Sequence, residues 1–202
     1  MDFGISFKKR YLLFLLLIVI GFYYSCVISS ARDITQGRVS WAESQMSDPI
    51  SNSEISDKRL SLLLKVQDEN FFTHGGTDFL LGRMTTISQS LVKYLYFENF
   101  QKGIQKIRQS LIARFAFDPL VSKDKQLNLF LNLVYMGQVD GKEVRGFNQA
   151  AHVYFNKDLS DISDEEYLSL LVMLSSPNGL NVKNKKELNL AAVADLKQKL
   201  SL

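Results

Sequence analysis

The sequence predicts a mainly α-helical domain behind one N-terminal transmembrane helix. Three observations carry this. Residues 11–28, YLLFLLLIVIGFYYSCVI, contain no charge. From Ser56 onward, apolar residues recur at spacings of three and four. Few segments alternate with period two, the mark of a half-buried strand.

The first element is the membrane anchor. Eighteen helical residues span roughly 27 Å, close to a bilayer core. Lys8, Lys9 and Arg10 precede the run, and Tyr23 and Tyr24 lie toward its far end. The positive-inside rule then places residues 1–10 in the cytoplasm, 11–30 in the inner membrane as a single pass, and the remainder outside or in the periplasm. A cleaved signal peptide is the rival reading. The run is longer than an ordinary signal core, and no A-x-A site follows it. A lipoprotein reading of YYSC fits poorly, because Tyr23 stands three residues before the Cys.

Residues 31–54 are polar and mixed, and read as a linker with one short helix around Trp41. Residues 55–202 form the domain. Leu60, Leu63, Leu64, Gln67 and Phe71 share one helical face, which puts Gln67 on an apolar side. Residues 79–101 and 104–116 read as two more helices, the second with Ile107 and Leu111 inward. Leu127, Phe130, Leu131 and Val134 form a core stripe in 123–136. Ser163 with Glu166 is a capping box opening a helix through Leu174, which SSPNG then stops. Residues 185–200 make the last helix.

Composition excludes several classes. The net charge is +3, of which +2 belongs to residues 1–30. The domain is therefore nearly neutral and shows no basic face for nucleic acid. Cys26 is the only cysteine, so neither an intramolecular disulfide nor a cysteine zinc site can form. His152 has no partner at a metal-like spacing. No cofactor is expected, and a divalent cation such as magnesium stays open.

One stretch is too polar for core and too aromatic for an ordinary loop: KVQDENFFTHGGTD, residues 65–78. It resembles the first signature of the peptidoglycan glycosyltransferases, glycosyltransferase family 51, E-D-x-x-F-x-x-H-x-G-x-D. Asp68, Phe71, His74, Gly76 and Asp78 fall in register, and Gln67 stands at the catalytic Glu. The second signature, G-G-S-T-I-T-Q-Q-L-V-K-N, is similar to residues 83–94. The core from Thr85 to Lys93 persists, including Thr86 and Gln89, while both Gly, the second Gln and the closing Asn are replaced. The third, R-K-x-x-E-x-x-x-A, falls on Gln105 to Ala113 with Lys106 and Arg108 inside it, and its Glu is Gln109. A family Arg would fall on Gln101. SKDKQLNLFLNLVYMG, 122–137, resembles the fourth signature with Asn132, Tyr135 and Gly137 in place. The fifth carries arginines, and no Arg follows Arg145.

The resemblance implies a two-lobed, lysozyme-like transglycosylase domain of the monofunctional type, with no penicillin-binding transpeptidase domain expected after residue 202. It implies lipid II or nascent peptidoglycan as ligand. In the family a Glu deprotonates the acceptor 4-hydroxyl, which attacks the anomeric carbon as undecaprenyl pyrophosphate leaves. Gln67, Gln109 and Asp68 occupy the catalytic positions. Thr86, Gln89, Lys93, Lys106, Arg108 and Asn132 occupy the substrate-binding ones. An amide takes up no proton near neutral pH. The chain is thus expected to be impaired, binding lipid II, a glycan strand or a cell-wall synthase. The alternative is an active polymerase. Glu69 points about 200° away from Gln67 on a helix, and Asp68 is the nearer substitute base. His74 reads as a structural hydrogen-bonding residue. Lys106 and Arg108 fit a solvated face as well as substrate. The aromatic run 94–100 fits core or a bilayer-resting segment.

Overall fold

The computed structural model describes residues 7–46, 48–78, 85–101 and 103–201. Residues 79–84, at which a helix was expected to begin and which include Arg83 and Met84 of the second signature, lie outside the described residues, as do residues 1–6.

Among the described residues, eight α-helices and one hairpin follow in order: α1 (Phe7–Ser44), α2 (Asp57–Gln67), α3 (Ile87–Tyr96), α4 (Ile104–Ile112), α5 (Lys123–Leu133), β1 (Tyr135–Val139), β2 (Lys142–Arg145), α6 (Phe147–Phe155), α7 (Asp164–Met173) and α8 (Lys186–Leu200). A 3-10 turn (Asn52–Glu54) precedes α2, and a π turn (Ala113–Phe117) continues α4. The mainly α architecture behind a long apolar helix is the one the sequence predicts.

α1 is long and apolar enough to cross a membrane, and the side chains of its apolar run are exposed. It does not end where the linker was expected. Residues 31–44 continue the same helix, because Ala31, Thr35, Val39 and Ala42 share a face that is fully buried against the domain. Polar side chains fix this packing. Arg32 Nη1 donates to the Phe115 carbonyl at 2.7 Å, and Gln36 Nε2 to the Leu120 carbonyl at 3.0 Å. The Thr35 and Tyr96 hydroxyls share a hydrogen bond of 2.6 Å. Lys125 and Glu43 form an ion pair. The helix that leaves the apolar run is thus part of the domain's core layer.

α2 starts at the Ser56 cap and buries Leu63 and Gln67. α3 begins at Thr86, whose hydroxyl accepts from the Gln89 N–H while Gln89 Oε1 accepts from the Thr86 N–H, a capping box. Residues 97–101 are not helical, so the helix expected over 79–101 is shorter. α4 is turned differently from its predicted face. Ile107 is 51% exposed, and the inward residues are Gln109 and Ile112. A buried backbone acceptor for Gln109 draws the polar side inward.

α5 buries Leu127, Phe130 and Leu131, as its stripe predicts. The antiparallel hairpin was not anticipated, although Asp140-Gly141 is a standard signal for it. Both residues have positive φ, 52° and 76°, as a two-residue type I′ turn requires. α7 opens with the Ser163–Glu166 capping box and is buried nearly all round, from Tyr167 to Met173. α8 packs on it through Asn189 and Val193.

Candidate functional site

The first signature occupies the end of α2 and the turn after it. Gln67 closes α2 at 6% exposure, and its Nε2 donates to the Thr85 carbonyl at 2.7 Å. Asp68 follows as the C-cap, with its carboxylate buried. One oxygen accepts from His74 Nε2 at 2.8 Å and the other from the Ile87 N–H at 2.9 Å. Ile87 opens α3, so a carboxylate sits at the positive end of that helix. Asp68 therefore positions the turn and the helix, and both its oxygens are occupied.

The turn is held tightly from below. Gly76 has φ 83°, and a Cβ there would overlap the Ala113 carbonyl and come within 2.9 Å of Asp118 Cβ. Only glycine fits that approach. The Thr86 hydroxyl donates to the Gly76 carbonyl at 2.8 Å, and Arg114 Nη1 to the Gly75 carbonyl at 3.0 Å. Asn70 Nδ2 donates to Asp78 at 2.8 Å.

Gln109 comes up from α4 on the other side of the same segment. It is 1% exposed, and its Nε2 donates to the Gln89 carbonyl at 2.6 Å. Its Oε1 is buried without a hydrogen-bond partner. Gln89 Nε2 in turn donates to the Ser110 hydroxyl at 3.0 Å. The two amides that the resemblance sets at carboxylate positions, Gln67 and Gln109, thus grip the segment 85–89 at its two ends. Each does so through a donor that a carboxylate lacks. A carbonyl only accepts, so the amide orientation is fixed at both places.

Cations rim this arrangement. Lys106 Nζ lies 3.5 Å from the Thr85 hydroxyl. Burial of its ammonium, with Lys93 as the smaller second cause, holds its pKa below the ordinary lysine value. Lys93 Nζ lies over the Phe100 ring at 5.3 Å, and the Arg108 guanidinium over Phe97 at 5.8 Å. Arg108 Nε is buried without a partner.

The structure therefore brings together Gln67, Asp68, Thr86, Gln89, Lys93, Lys106 and Gln109, with Arg108 beside them on α4. Asn132 does not join them. Its Oδ1 accepts from the Ile50 N–H, and its Nδ2 donates to the Ile50 and Asn128 carbonyls, so it ties residues 48–54 to α5. Glu69 does not join either. It lines a groove of about 420 Å³ beside α2 with Asp57, Leu60, Ser61, Leu64 and Lys65, and Gln67 is not part of that lining. Among the described residues, no three His, Cys, Asp or Glu side chains are grouped to hold a metal.

Sequence reasoning missed the Thr85 carbonyl, the Ser110 hydroxyl and Arg114, the last reaching across 39 residues. It also missed a buried network beneath α3. There Asp118 accepts from Lys123 at 2.6 Å and Gln126 at 3.1 Å, and Ser88 donates to Gln126 at 2.6 Å. None of these positions carries a periodic signal.

Comparison with known proteins points to the same family. The transglycosylase family profile matches residues 84–200. The chain is 28% identical over 140 residues to penicillin-binding protein 1B of Buchnera aphidicola subsp. Acyrthosiphon pisum, covering 62% of this chain and 18% of that protein. It is 27% identical over 147 residues to penicillin-binding protein 1B of Escherichia coli K12, covering 65% and 17%. It is 28% identical over 146 residues to penicillin-binding protein 1F of Bacillus subtilis 168, covering 65% and 20%. The chain spans about a fifth of the length of these relatives. The family match begins past the first signature and runs through α3, α4 and the hairpin to the end of α8. Because that match covers more than half of the chain, this protein belongs to the transglycosylase family, the peptidoglycan glycosyltransferases.

Proposed function

We propose that this chain is a peptidoglycan glycosyltransferase homologue that has lost polymerising chemistry and retains binding. It binds lipid II, a nascent glycan strand or a cell-wall synthase. Its N-terminus lies in the cytoplasm, and its domain faces outward from a single-pass anchor in the inner membrane.

The observation that carries this reading is the use made of Gln67 and Gln109. Both amides donate to main-chain carbonyls, at Thr85 and Gln89. Glycosyl transfer needs a base to take the proton of the acceptor hydroxyl as it attacks. Neither amide does so near neutral pH. Loss of a general base typically costs about 10²–10⁴ in rate. Asp68 is a poor substitute, because its carboxylate is 1% exposed and already holds His74 and the Ile87 N–H.

The cations support retained binding. Lys93, Lys106 and Arg108 suit a pyrophosphate, whose charge-assisted hydrogen bonds are stronger than neutral ones. Lys106 is partly desolvated, and an arriving anion would restore the charged form that burial disfavours. No such contact needs the missing carboxylates.

The test is a pair of assays on the purified full-length protein in detergent. Lipid II should bind saturably and bind less in Lys93→Ala, while no glycan chains form. Chains made at the rate of an active family member would overturn the silenced reading. Absence of saturable lipid II binding would overturn the retained-binding reading.

A further inference from the structure

α1 carries a second face that the domain leaves open. Ala31, Thr35, Val39 and Ala42 take one side of the helix into the core. Roughly 120° round from them, Ile34 and Trp41 stay 44% and 46% exposed. Gly37 lies between the two, and a Cβ there would meet nothing within 4 Å. Exposed apolar side chains are expected inside the membrane run, but Ile34 and Trp41 stand beyond it, after Ile28. They are not isolated. Along one unbroken helix, Tyr23, Val27, Ser30, Ile34, Gly37 and Trp41 recur at alternating steps of four and three.

That spacing is a heptad seam, with Val27, Ile34 and Trp41 at a and Tyr23, Ser30 and Gly37 at d. A strict seven-residue repeat drifts on a straight helix and suits a left-handed pair of helices. Beyond the membrane run the a residues are large and the d residues small, so two backbones can approach closely. The flanks of the seam say more about what covers it. Asp33 falls at g and Arg38 at e of the next heptad. Both are exposed. They stand about 140° apart round the helix, too far to pair with one another. Among the described residues neither makes an ion pair or side-chain hydrogen bond, and Arg38 acts on the Tyr96 phenol only through space. In a parallel pair of helices, g of one faces e of the other. Asp33 of one copy then meets Arg38 of a second copy, and two-fold symmetry repeats the contact.

We infer that this protein pairs with a second copy of itself through α1, in a parallel, two-fold symmetric seam from Tyr23 to Trp41. Two copies of one chain enter a bilayer in the same direction, which the parallel register needs. A helix of another protein would need an acid and a base at matched positions, whereas a second copy supplies both by identity. Residues 31–44 are tied to their own domain by Arg32 and Gln36, so pairing through them fixes the two domains relative to each other. The seam uses none of the residues of the cationic cleft, and it stands or falls apart from the proposed function.

The experiment is disulfide trapping of the full-length protein in detergent micelles, in a Cys26→Ser background. Ser30→Cys puts a thiol at d, on the seam, and Ser29→Cys puts one at c, about 100° round the helix and also exposed. Under mild oxidation a dimer is expected from Ser30→Cys and about tenfold less from Ser29→Cys, whose thiols cannot meet. With Ser30→Cys present, Asp33→Arg and Arg38→Asp each set like charges against each other, and each should cut trapping roughly fivefold. The double exchange Asp33→Arg/Arg38→Asp restores both pairs and should restore trapping. Co-expressing the two single variants should do the same, since each supplies the charge the other lacks. Light scattering on the wild type reads the mass without any added thiol, and a dimer is expected. A monomeric wild type, or equal trapping from positions 29 and 30, overturns the inference. A dimer that neither single reversal weakens, or that the double exchange fails to restore, uses another face and overturns it as well.

Discussion

Gln109 Nε2 lies 2.6 Å from the main-chain oxygen of Gln89, and the remaining Gln109 oxygen is buried with no partner. The amide is oriented by a carbonyl that can only accept. A carboxylate at this position would face that carbonyl oxygen with no donor between them. The prediction for Gln109→Glu is therefore destabilisation, by about 1–3 kcal/mol from the lost donor alone. Burial and the facing carbonyl would raise the pKa of the new carboxyl above its unfolded value. Its contribution to stability is then fully present below the unfolded pKa and is lost as pH rises through the folded one. Thermal melting should show a larger deficit against wild type at pH 8 than at pH 5. Equal deficits at both would mean that the site accepts a carboxylate readily.

Lys106 gives a second pH dependence, of opposite origin. Its depressed pKa means that the folded protein releases this proton at lower pH than a free lysine does. A bound pyrophosphate favours the ammonium, so binding takes up a proton once pH exceeds the depressed pKa. Affinity for inorganic pyrophosphate should fall with rising pH earlier in wild type than in Lys106→Arg, whose guanidinium stays charged. Calorimetric titration between pH 7 and 10 checks this. Parallel pH profiles for the two proteins would remove Lys106 from the anion site.

Gly76 and Gly103 form a controlled pair. Both have positive φ, 83° and 106°. A Cβ at Gly76 would run into the Ala113 carbonyl, whereas at Gly103 nothing lies within 4 Å. Gly103→Ala should cost only backbone strain, about 1–3 kcal/mol. Gly76→Ala should cost more, by a further 1–3 kcal/mol or so of overpacking. Denaturant unfolding of the two variants gives the comparison. Equal costs would show that the π turn yields to the added methyl group.

Much of this architecture is legible in the residues themselves. The apolar run of α1, the α5 stripe and the Ser163 capping box each carry their own signal, because burial on one face imposes a period and an orphan N–H demands a cap. The five registered positions of the first signature mark the segment that holds Gln67, Asp68 and Gly76. What is illegible depends on contacts between distant segments. Residues 31–44 look like a tether because their buried face is built of small and polar residues, Ala31, Thr35, Val39 and Ala42, that fit against α3, α4 and the π turn. Ile107 faces solvent because Gln109 has a partner inside. Asn132 lies in a registered signature and yet spends its amide on Ile50. In each case a hydrogen-bond partner far away in the chain overrides the local pattern. The Asp140-Gly141 turn is different, since its signal was present and was outweighed by the helical periodicity around it.

We propose that amides at positions 67 and 109 leave this homologue unable to polymerise. Purified wild type, Gln67→Glu and Gln67→Glu/Gln109→Glu should be incubated with lipid II and their products resolved by chain length. No chains are expected from wild type, and Gln67→Glu alone should not reach the rate of an active family member, because Gln109 and Gln101 are unchanged. Long glycan chains from the wild type at such a rate would contradict the account.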